Sequence, residues 1–321
     1  MKKIAITIGD PAGIGPEIII KALNVLCFDN DKFILIGNKE IFHKTAKEAG
    51  LSLDSDIEII DIPSPVAKIK TGELSIESGR LSFYALEYAC ALANDRKINA
   101  IVTAPLSKMA INMAGYHYSG QTEVLEKYIG KGKKAEMLFV ANDFRIMLLT
   151  RHIPLAKVPQ SLSVKKIVES TISLYNSLVN NFKIPTPKIA ICALNPHAGE
   201  EGLLGNEEQE IIIPAINKLK QEFNINIEGP FPADTVWLKA GKPFLNDTPQ
   251  PYDAYIACYH DQGLIPVKLL AMDSTVNTTI NLPIIRTSPS HGTAYDIAGK
   301  NIANSKSMES AIKLAHELSI K

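Results

Sequence analysis

Short apolar runs alternate with amphipathic stretches of helical period along nearly the whole chain. Apolar runs of a few residues, rich in Ile and Val and bounded by turn formers, read as buried strands; segments whose apolar positions recur every three to four residues read as helices. On this basis strands are expected at residues 3–8, 33–36, 57–60, 98–103, 137–140, 145–149, 188–193, 255–258 and 276–280. The clearest helices are expected at 16–26, opened by Pro16, and at 79–93, 164–179, 207–223 and 308–319. Strands alternating with helices from end to end predict α/β architecture with a largely parallel sheet. No repeat, low-complexity tract or Ser/Gly/Pro-rich linker marks a boundary, yet 321 residues are long for one simple core, so two lobes with a cleft between them are expected.

Charge narrows the function classes. Lys plus Arg number 34 and Asp plus Glu number 34, with no basic block long enough to clamp a polyanion, which argues against nucleic acid and membrane surfaces. The apolar run after Lys2-Lys3 stops at Gly9-Asp10-Pro11, too early for a signal peptide, and no stretch approaches the roughly 18 apolar residues of a membrane helix. A soluble, cytoplasmic protein is expected. Cys27, Cys90, Cys192 and Cys258 are far apart, lack CxxC spacing and lie in or beside apolar runs, so they read as buried thiols.

Ligands of open parallel sheets sit beyond the carboxyl ends of the strands, and three histidines fall there: His152, His197 and His260. Neutral imidazole is a common ligand for a divalent metal, and three ligands leave positions open for water or substrate. Taken singly, each reads as a loop or capping residue; their shared position raises the metal reading. Asp261, Lys268, Asn277 and Arg286 follow His260 closely, and a Lys, an Arg and a neutral donor suit phosphate or carboxylate. Read alone, Lys268 is a solvated helix residue and Arg286 a surface ion pair. Gly199, Gly202 and Gly205 suit either an anion-binding nest or plain turns.

No GxGxxG fingerprint follows a strand, so a standard Rossmann site is disfavoured. Gly9-Asp10-Pro11-Ala12-Gly13-Ile14-Gly15-Pro16-Glu17 instead resembles the GDGIGPE turn of the isocitrate and isopropylmalate dehydrogenase superfamily, with a small insertion. His291-Gly292-Thr293-Ala294-Tyr295-Asp296-Ile297-Ala298-Gly299-Lys300 resembles its HGSAPDIAGK adenosine loop. The resemblance implies a cofactor site at His291, Gly292, Ala294 and Asp296. A carboxylate at Asp296 would accept hydrogen bonds from both ribose hydroxyls and repel a 2′-phosphate, favouring NAD with NADP as the alternative. Outside the resemblance, Asp296 reads as a turn or cap residue.

Gly120-Gln121-Thr122-Glu123, Arg151-His152-Ile153-Pro154-Leu155, Leu194-Asn195-Pro196-His197-Ala198-Gly199-Glu200, Pro232-Ala233-Asp234-Thr235 and Tyr259-His260-Asp261-Gln262-Gly263 resemble the 4-hydroxythreonine-4-phosphate dehydrogenase family of vitamin B6 biosynthesis, in order along nearly the whole chain. The resemblance implies an isopropylmalate-dehydrogenase-like two-domain α/β fold with an active-site cleft, and a homodimer that completes each site. It implies one divalent metal (Zn, Mg or Co) on His152, His197 and His260, drawn from both subunits. Substrate contacts fall on Gln121, Thr122, Lys268, Asn277 and Arg286, with Asp234 and Asp261 for the substrate amino group. Lys268 is an acid, a base or, as favoured here, a phosphate grip. The reaction implied is NAD-dependent oxidation of 4-phosphohydroxy-L-threonine to 2-amino-3-oxo-4-phosphooxybutanoate, which decarboxylates to 3-amino-2-oxopropyl phosphate. By the same resemblance, residues 1–120 with 285–321 form the nucleotide lobe and 121–284 the substrate, metal and dimerisation lobe.

Two departures stand out. Gln121 occupies the place of a family histidine, so an amide that neither carries charge nor shuttles protons replaces an imidazole. Pro289-Ser290 precede His291 where relatives often have an acidic residue. Rival readings are a paralogous dehydrogenase for another phosphorylated hydroxy acid or a dihydrodiol, a zinc hydrolase, and an acyltransferase of similar fold.

Overall fold

The computed structural model describes residues 2–26 and 32–319; Cys27 lies outside them. Its strands are β1 (Lys3–Thr7), β2 (Lys32–Gly37), β3 (Glu58–Asp61), β4 (Ala100–Thr103), β5 (Glu136–Ala141), β6 (Phe144–Leu148), β7 (Lys188–Cys192), β8 (Asn226–Phe231), β9 (Ala254–Ala257), β10 (Val276–Ile280) and β11 (Ile285–Pro289). The chain divides into two compact units, residues 1–135 with 276–321, and residues 136–275.

In the first unit the strand order is β3-β2-β1-β4-β11-β10. All neighbours are parallel except β10, which runs against β11. Ile4, Ala5 and Ile6 of β1 and Ala100, Ile101 and Val102 of β4 are fully buried. Strands covered on both faces need unbroken apolar runs, which is why the pattern was legible there. The helix Ile76–Asn94 starts at Ser75, whose hydroxyl accepts from Ser78 N at 3.0 Å, a cap typical of helix entry. The helix Lys306–Leu318 packs on β11 and β4 through Met308, Ala311, Ile312 and Ala315, spaced as one helical face.

In the second unit the order is β5-β6-β9-β7-β8, with β5 antiparallel to β6 and the remaining neighbours parallel. Its core gathers Phe144, Tyr255, Leu148, Val236 and Leu264, with Trp237 and Phe244 packed against it. Phe144 meets Tyr255 edge-on, with ring centroids 5.6 Å apart. Truncating such a buried ring to alanine costs about 3–5 kcal/mol.

Two strands escape the hydrophobic pattern. β8 reads Asn-Ile-Glu-Gly-Pro-Phe, and a Gly-Pro pair argues against a strand except at the end of an order, where β8 lies. β11 carries Arg286, Thr287 and Ser288, which are buried but polar. The helix expected at 207–223 begins instead as a wider π turn, Glu208–Ile212, before the α-helix Ile213–Phe223. Pro214 has no N–H to return to Glu210, so the regular ladder cannot run through. The divisions between units fall at 135/136 and 275/276 rather than 120/121 and 284/285. The helix Gln121–Ile129 packs on Ile76–Asn94, and β10 pairs with β11 beside β4, which draws both segments into the first unit. Among the described residues no helix is long and apolar enough to cross a membrane.

Candidate active site

Parallel β1, β4 and β11 deliver three loops to one edge of the first unit: residues 8–14, residues 104–107 and residues 290–301. The loops are bonded together. Asp10 N donates to Pro105 O (2.8 Å), Ile14 N to Thr293 O (2.9 Å) and Gly72 N to Ala12 O (2.7 Å). A β-carbon at Gly13 would lie 2.7 Å from Thr293 O, so only glycine permits that approach. Glu17 Oε1 accepts from Ala303 N at 2.8 Å and from Lys21, tying the glycine-rich turn to the end of the 291–300 loop. Asp10 is buried, accepts from Ala12 N and receives the Tyr295 hydroxyl; burial nevertheless raises its pKa, against the pull of those two bonds.

Within that loop, His291 Nδ1 faces Gly292 O at 3.1 Å, so its own neighbour takes the orienting place of an acidic residue. His291 Nε2 is buried with no partner, and a β-carbon at Gly292 would meet nothing within 4 Å. A buried ring nitrogen left without a partner is uncommon and marks this loop for a role beyond packing. Ala294 takes a positive φ of 44°, and Asp296 is exposed.

Arg286 is 3% exposed. Its Nε and one terminal nitrogen donate to Thr103 Oγ1 (3.1 and 2.7 Å), the other terminal nitrogen to Thr279 Oγ1 (3.1 Å), and a fourth bond runs to Gln121 Oε1 (3.2 Å). It is no surface ion pair: among the described residues no carboxylate lies within ion-pairing distance of it. Burial lowers its pKa to about 10, with nearby Glu123 acting the other way, so it stays a cation at neutrality. Gln121 Nε2 donates to Ala104 O at 2.9 Å, so this amide holds Arg286 in place. In the β10–β11 register Thr279 faces Arg286 and Asn277 faces Ser288, which puts Asn277 and Arg286 on the same sheet face. Asn277 Oδ1 is buried and unpartnered. Thr122 is buried at the start of the helix Gln121–Ile129.

In the second unit the carboxyl ends of β6, β9, β7 and β8 follow one another along one edge and lead to His152, His260, His197 and Asp234. His152 and His260 leave adjacent strands, and their ring centroids are 5.6 Å apart. They line a concavity with Arg151, Ile153, Leu155, Val158, Tyr259 and Asp261. Asp261 Oδ1 lies 2.7 Å from His260 Nδ1, which leaves Nε2 as the donor a metal would take. His197 turns elsewhere: its Nδ1 pairs with Glu200, which raises its pKa, and Asp234 acts in the same direction. Among the described residues no three His, Cys, Asp or Glu side chains are grouped to hold a metal, so one chain brings two of the three histidines together. Lys268 is exposed near the end of the helix His260–Ala271, about 12 Å further along it than His260.

The loop carrying His197 has an unusual backbone. His197, Ala198, Gly199, Glu200 and Glu201 all take positive φ, from 43 to 80°, forming a left-handed turn. Each of the four non-glycine residues costs about 1–2 kcal/mol in that region. The glycines have a packing reason of their own. A β-carbon at Gly199 would meet Glu208 Oε2 at 2.7 Å, at Gly202 Asn206 Oδ1 at 2.9 Å, and at Gly205 the Asn195 amide at 2.5 Å. The space beside each is filled by the chain's own polar groups.

Sequence reasoning passed over Asp10, Thr103, Thr279, Glu200 and Glu208. Asp10, in the glycine-rich turn, and Glu200, three residues after His197, lie inside motifs that stood out; Thr103, Thr279 and Glu208 carried no local signal, because their partners lie on other strands or loops.

Glycine-rich loops and a buried cation at the strand ends of one unit, with histidines at the carboxyl strand ends of the other, place the functional groups of this α/β protein where mostly parallel sheets carry their ligands. The chain belongs to the family described as pyridoxal phosphate biosynthetic protein PdxA, which matches residues 6–315. It is 42% identical over 339 residues to the 4-hydroxythreonine-4-phosphate dehydrogenase of Synechocystis sp., covering 99% of this chain and 96% of that one. A relative from Oceanobacillus iheyensis, provisionally named a D-threonate 4-phosphate dehydrogenase, is 40% identical over 332 residues, covering 98% and 97%. The crystal structure of 4-hydroxythreonine-4-phosphate dehydrogenase from Klebsiella pneumoniae matches with a TM-score of 0.85 and 35% identity, covering 100% of both chains.

Proposed function

We propose that this chain is an NAD-dependent, divalent-metal-dependent dehydrogenase that oxidises 4-phosphohydroxy-L-threonine to 2-amino-3-oxo-4-phosphooxybutanoate, working as a cytoplasmic homodimer in pyridoxal phosphate biosynthesis. The observation that carries the reading is Arg286, a buried guanidinium whose hydrogen-bond partners among the described residues are hydroxyls and an amide. A buried cation with no carboxylate in ion-pairing contact is costly unless an anion arrives, and a phosphate ester is the anion this family's substrates carry. Asn277, on the same sheet face with a free carbonyl, takes a substrate donor, and Thr122 and Gln121 complete that side. Lys268 grips phosphate as an exposed cation. Asp234 and Asp261 receive the substrate ammonium, and Asp261 also orients His260.

The donor set suits a divalent metal: His152, His197 and His260, contributed by the two subunits together, would hold zinc, magnesium or cobalt. When bound, the metal would acidify the substrate hydroxyl and stabilise charge on its oxygen, and NAD would be the hydride acceptor. Asp296 takes the ribose hydroxyls and disfavours NADP; His291, Gly292 and Ala294 line the cofactor loop. The β-keto acid product loses carbon dioxide to give 3-amino-2-oxopropyl phosphate. Pairing between subunits is supported by an exposed apolar stripe, Ile265, Leu269 and Met272, on or just beyond the helix that starts at His260. Buried free thiols at Cys90, Cys192 and Cys258 suit a reducing compartment.

A second substrate has one observation in its favour. Gln121 is committed to Ala104 O and Arg286 where the family places a histidine, and a relative 40% identical is provisionally named for D-threonate 4-phosphate, which carries the same phosphate ester. The test is NAD reduction with each compound, before and after metal removal by chelation and with His197→Ala. Turnover of 4-phosphohydroxy-L-threonine that chelation abolishes and added metal restores is expected. Turnover that survives chelation sinks the metal assignment, and turnover of D-threonate 4-phosphate alone sinks the substrate.

A further inference from the structure

The five-residue left-handed turn at 197–201 is a conformation that this sequence does not favour locally, so neighbouring groups must hold it. The group that does so is Glu208. Its side chain is 1% exposed, at the start of the π turn that leads into the helix Ile213–Phe223. Glu208 Oε1 accepts from the backbone amides of Leu194 and Asn195, both at 2.8 Å, and Oε2 accepts from Asn195 Nδ2 at 2.9 Å. The second proton of that amide goes to Glu207 Oε2 at 2.7 Å. Gly199, in the middle of the turn, has its α-carbon against Glu208 Oε2, with no room for a side chain. The turn closes through Leu203 N to Glu200 O and Leu204 N to Gly199 O. The backbone therefore leaves β7, passes over one buried carboxylate and reverses hand around it.

We infer that Glu208 is a positioning residue: its carboxylate fixes the left-handed turn and thereby aims His197 and its partner Glu200 for metal binding. The inference rests on the reading of His197 as a metal ligand. The chemistry requires a carboxylate specifically. Both oxygens accept, and every facing group is an N–H donor. A glutamine of the same shape must turn its NH2 toward either the two backbone amides or the Asn195 amide. If Asn195 flips to accept from it, the Asn195 carbonyl then faces the Glu207 carboxylate. No arrangement of Glu208→Gln satisfies all of these contacts.

The experiment is titration of the metal-free protein with Zn2+ by calorimetry, together with the visible absorption of the Co2+-loaded protein. Wild type, Glu208→Gln, Asn195→Ala and His197→Ala are compared, with thermal melts as the check on folding. Glu208→Gln is expected to weaken Zn2+ binding by about 10- to 100-fold and to alter the Co2+ spectrum, as loss of an orienting group behind a ligand does. Asn195→Ala removes one bond to the same carboxylate and is expected to weaken Zn2+ binding about three- to tenfold; it decides the matter if Glu208→Gln does not fold. Wild-type Zn2+ affinity in the folded Glu208→Gln protein, or failing that in Asn195→Ala, while His197→Ala loses it, overturns the positioning role. Wild-type affinity in His197→Ala overturns the ligand reading instead.

Discussion

The Tyr295 hydroxyl donates a 2.7 Å hydrogen bond to Asp10 Oδ2, joining side chains 285 positions apart. One belongs to the glycine-rich turn after β1 and the other to the loop proposed to hold adenosine, so this bond between side chains adds to the backbone bond from Ile14 N to Thr293 O in joining the two motifs at either end of the sequence. Tyr295→Phe leaves a buried carboxylate oxygen without that donor, a loss of about 1–3 kcal/mol. Urea denaturation should show a destabilisation of that size, and NAD titration by fluorescence a dissociation constant about three- to tenfold higher. Unchanged values in both experiments would show that the bond does no work.

Asp10 also predicts a pH dependence. Burial raises its folded pKa above the ordinary 3.8, so between those two values the folded protein binds more protons at this site than the unfolded chain. Its contribution to stability is present in full below the unfolded value and is lost as pH rises through the folded one. Asp10→Asn cannot ionise. The melting temperature of Asp10→Asn minus that of wild type should therefore increase as pH is raised from about 4 to about 7. A flat or falling difference contradicts the assignment.

For Arg286 the expected separation is between folding and binding. Arg286→Met removes a buried charge that has no carboxylate within ion-pairing distance, so its stability should change by less than about 1.5 kcal/mol in either direction. Its kcat/KM for the phosphorylated substrate should fall by about 100-fold or more, with binding of NAD little altered. Steady-state kinetics and denaturant melts on one preparation test both halves.

Leu269 is 82% exposed in the middle of the apolar stripe. Leu269→Glu should shift the protein from dimer to monomer in analytical ultracentrifugation at micromolar concentration, with unchanged helix content by circular dichroism and turnover lost. A variant that stays dimeric removes this helix from the proposed interface.

Buried parallel strands were legible because they need continuous apolar runs, as in Ile4-Ala5-Ile6 and Ile189-Ala190-Ile191. β11 was not, because its buried side chains are Arg286, Thr287 and Ser288, whose partners lie on other strands and helices. The histidines could be placed at strand ends from sequence. Which of them face each other follows from strand order, since β6 and β9 are neighbours and carry His152 and His260. The direction of His197 was hidden, because a left-handed turn held by Glu208 leaves no periodic trace. Gln121 stood out as a departure, but its grip on Arg286 emerged only with the strand pairing.

The second unit occupies one uninterrupted stretch, residues 136–275, whereas the first needs β10, β11 and the helix Lys306–Leu318 to complete its sheet. During synthesis, then, the histidine-bearing half has its entire core in hand while β4 still lacks its neighbour β11. Until the final forty or so residues emerge, Ile101 and Val102 present an open strand edge, the surface on which nascent chains stick to one another. Chain order thus leaves the edge of β4 uncovered longest, while the second unit can close its own core first.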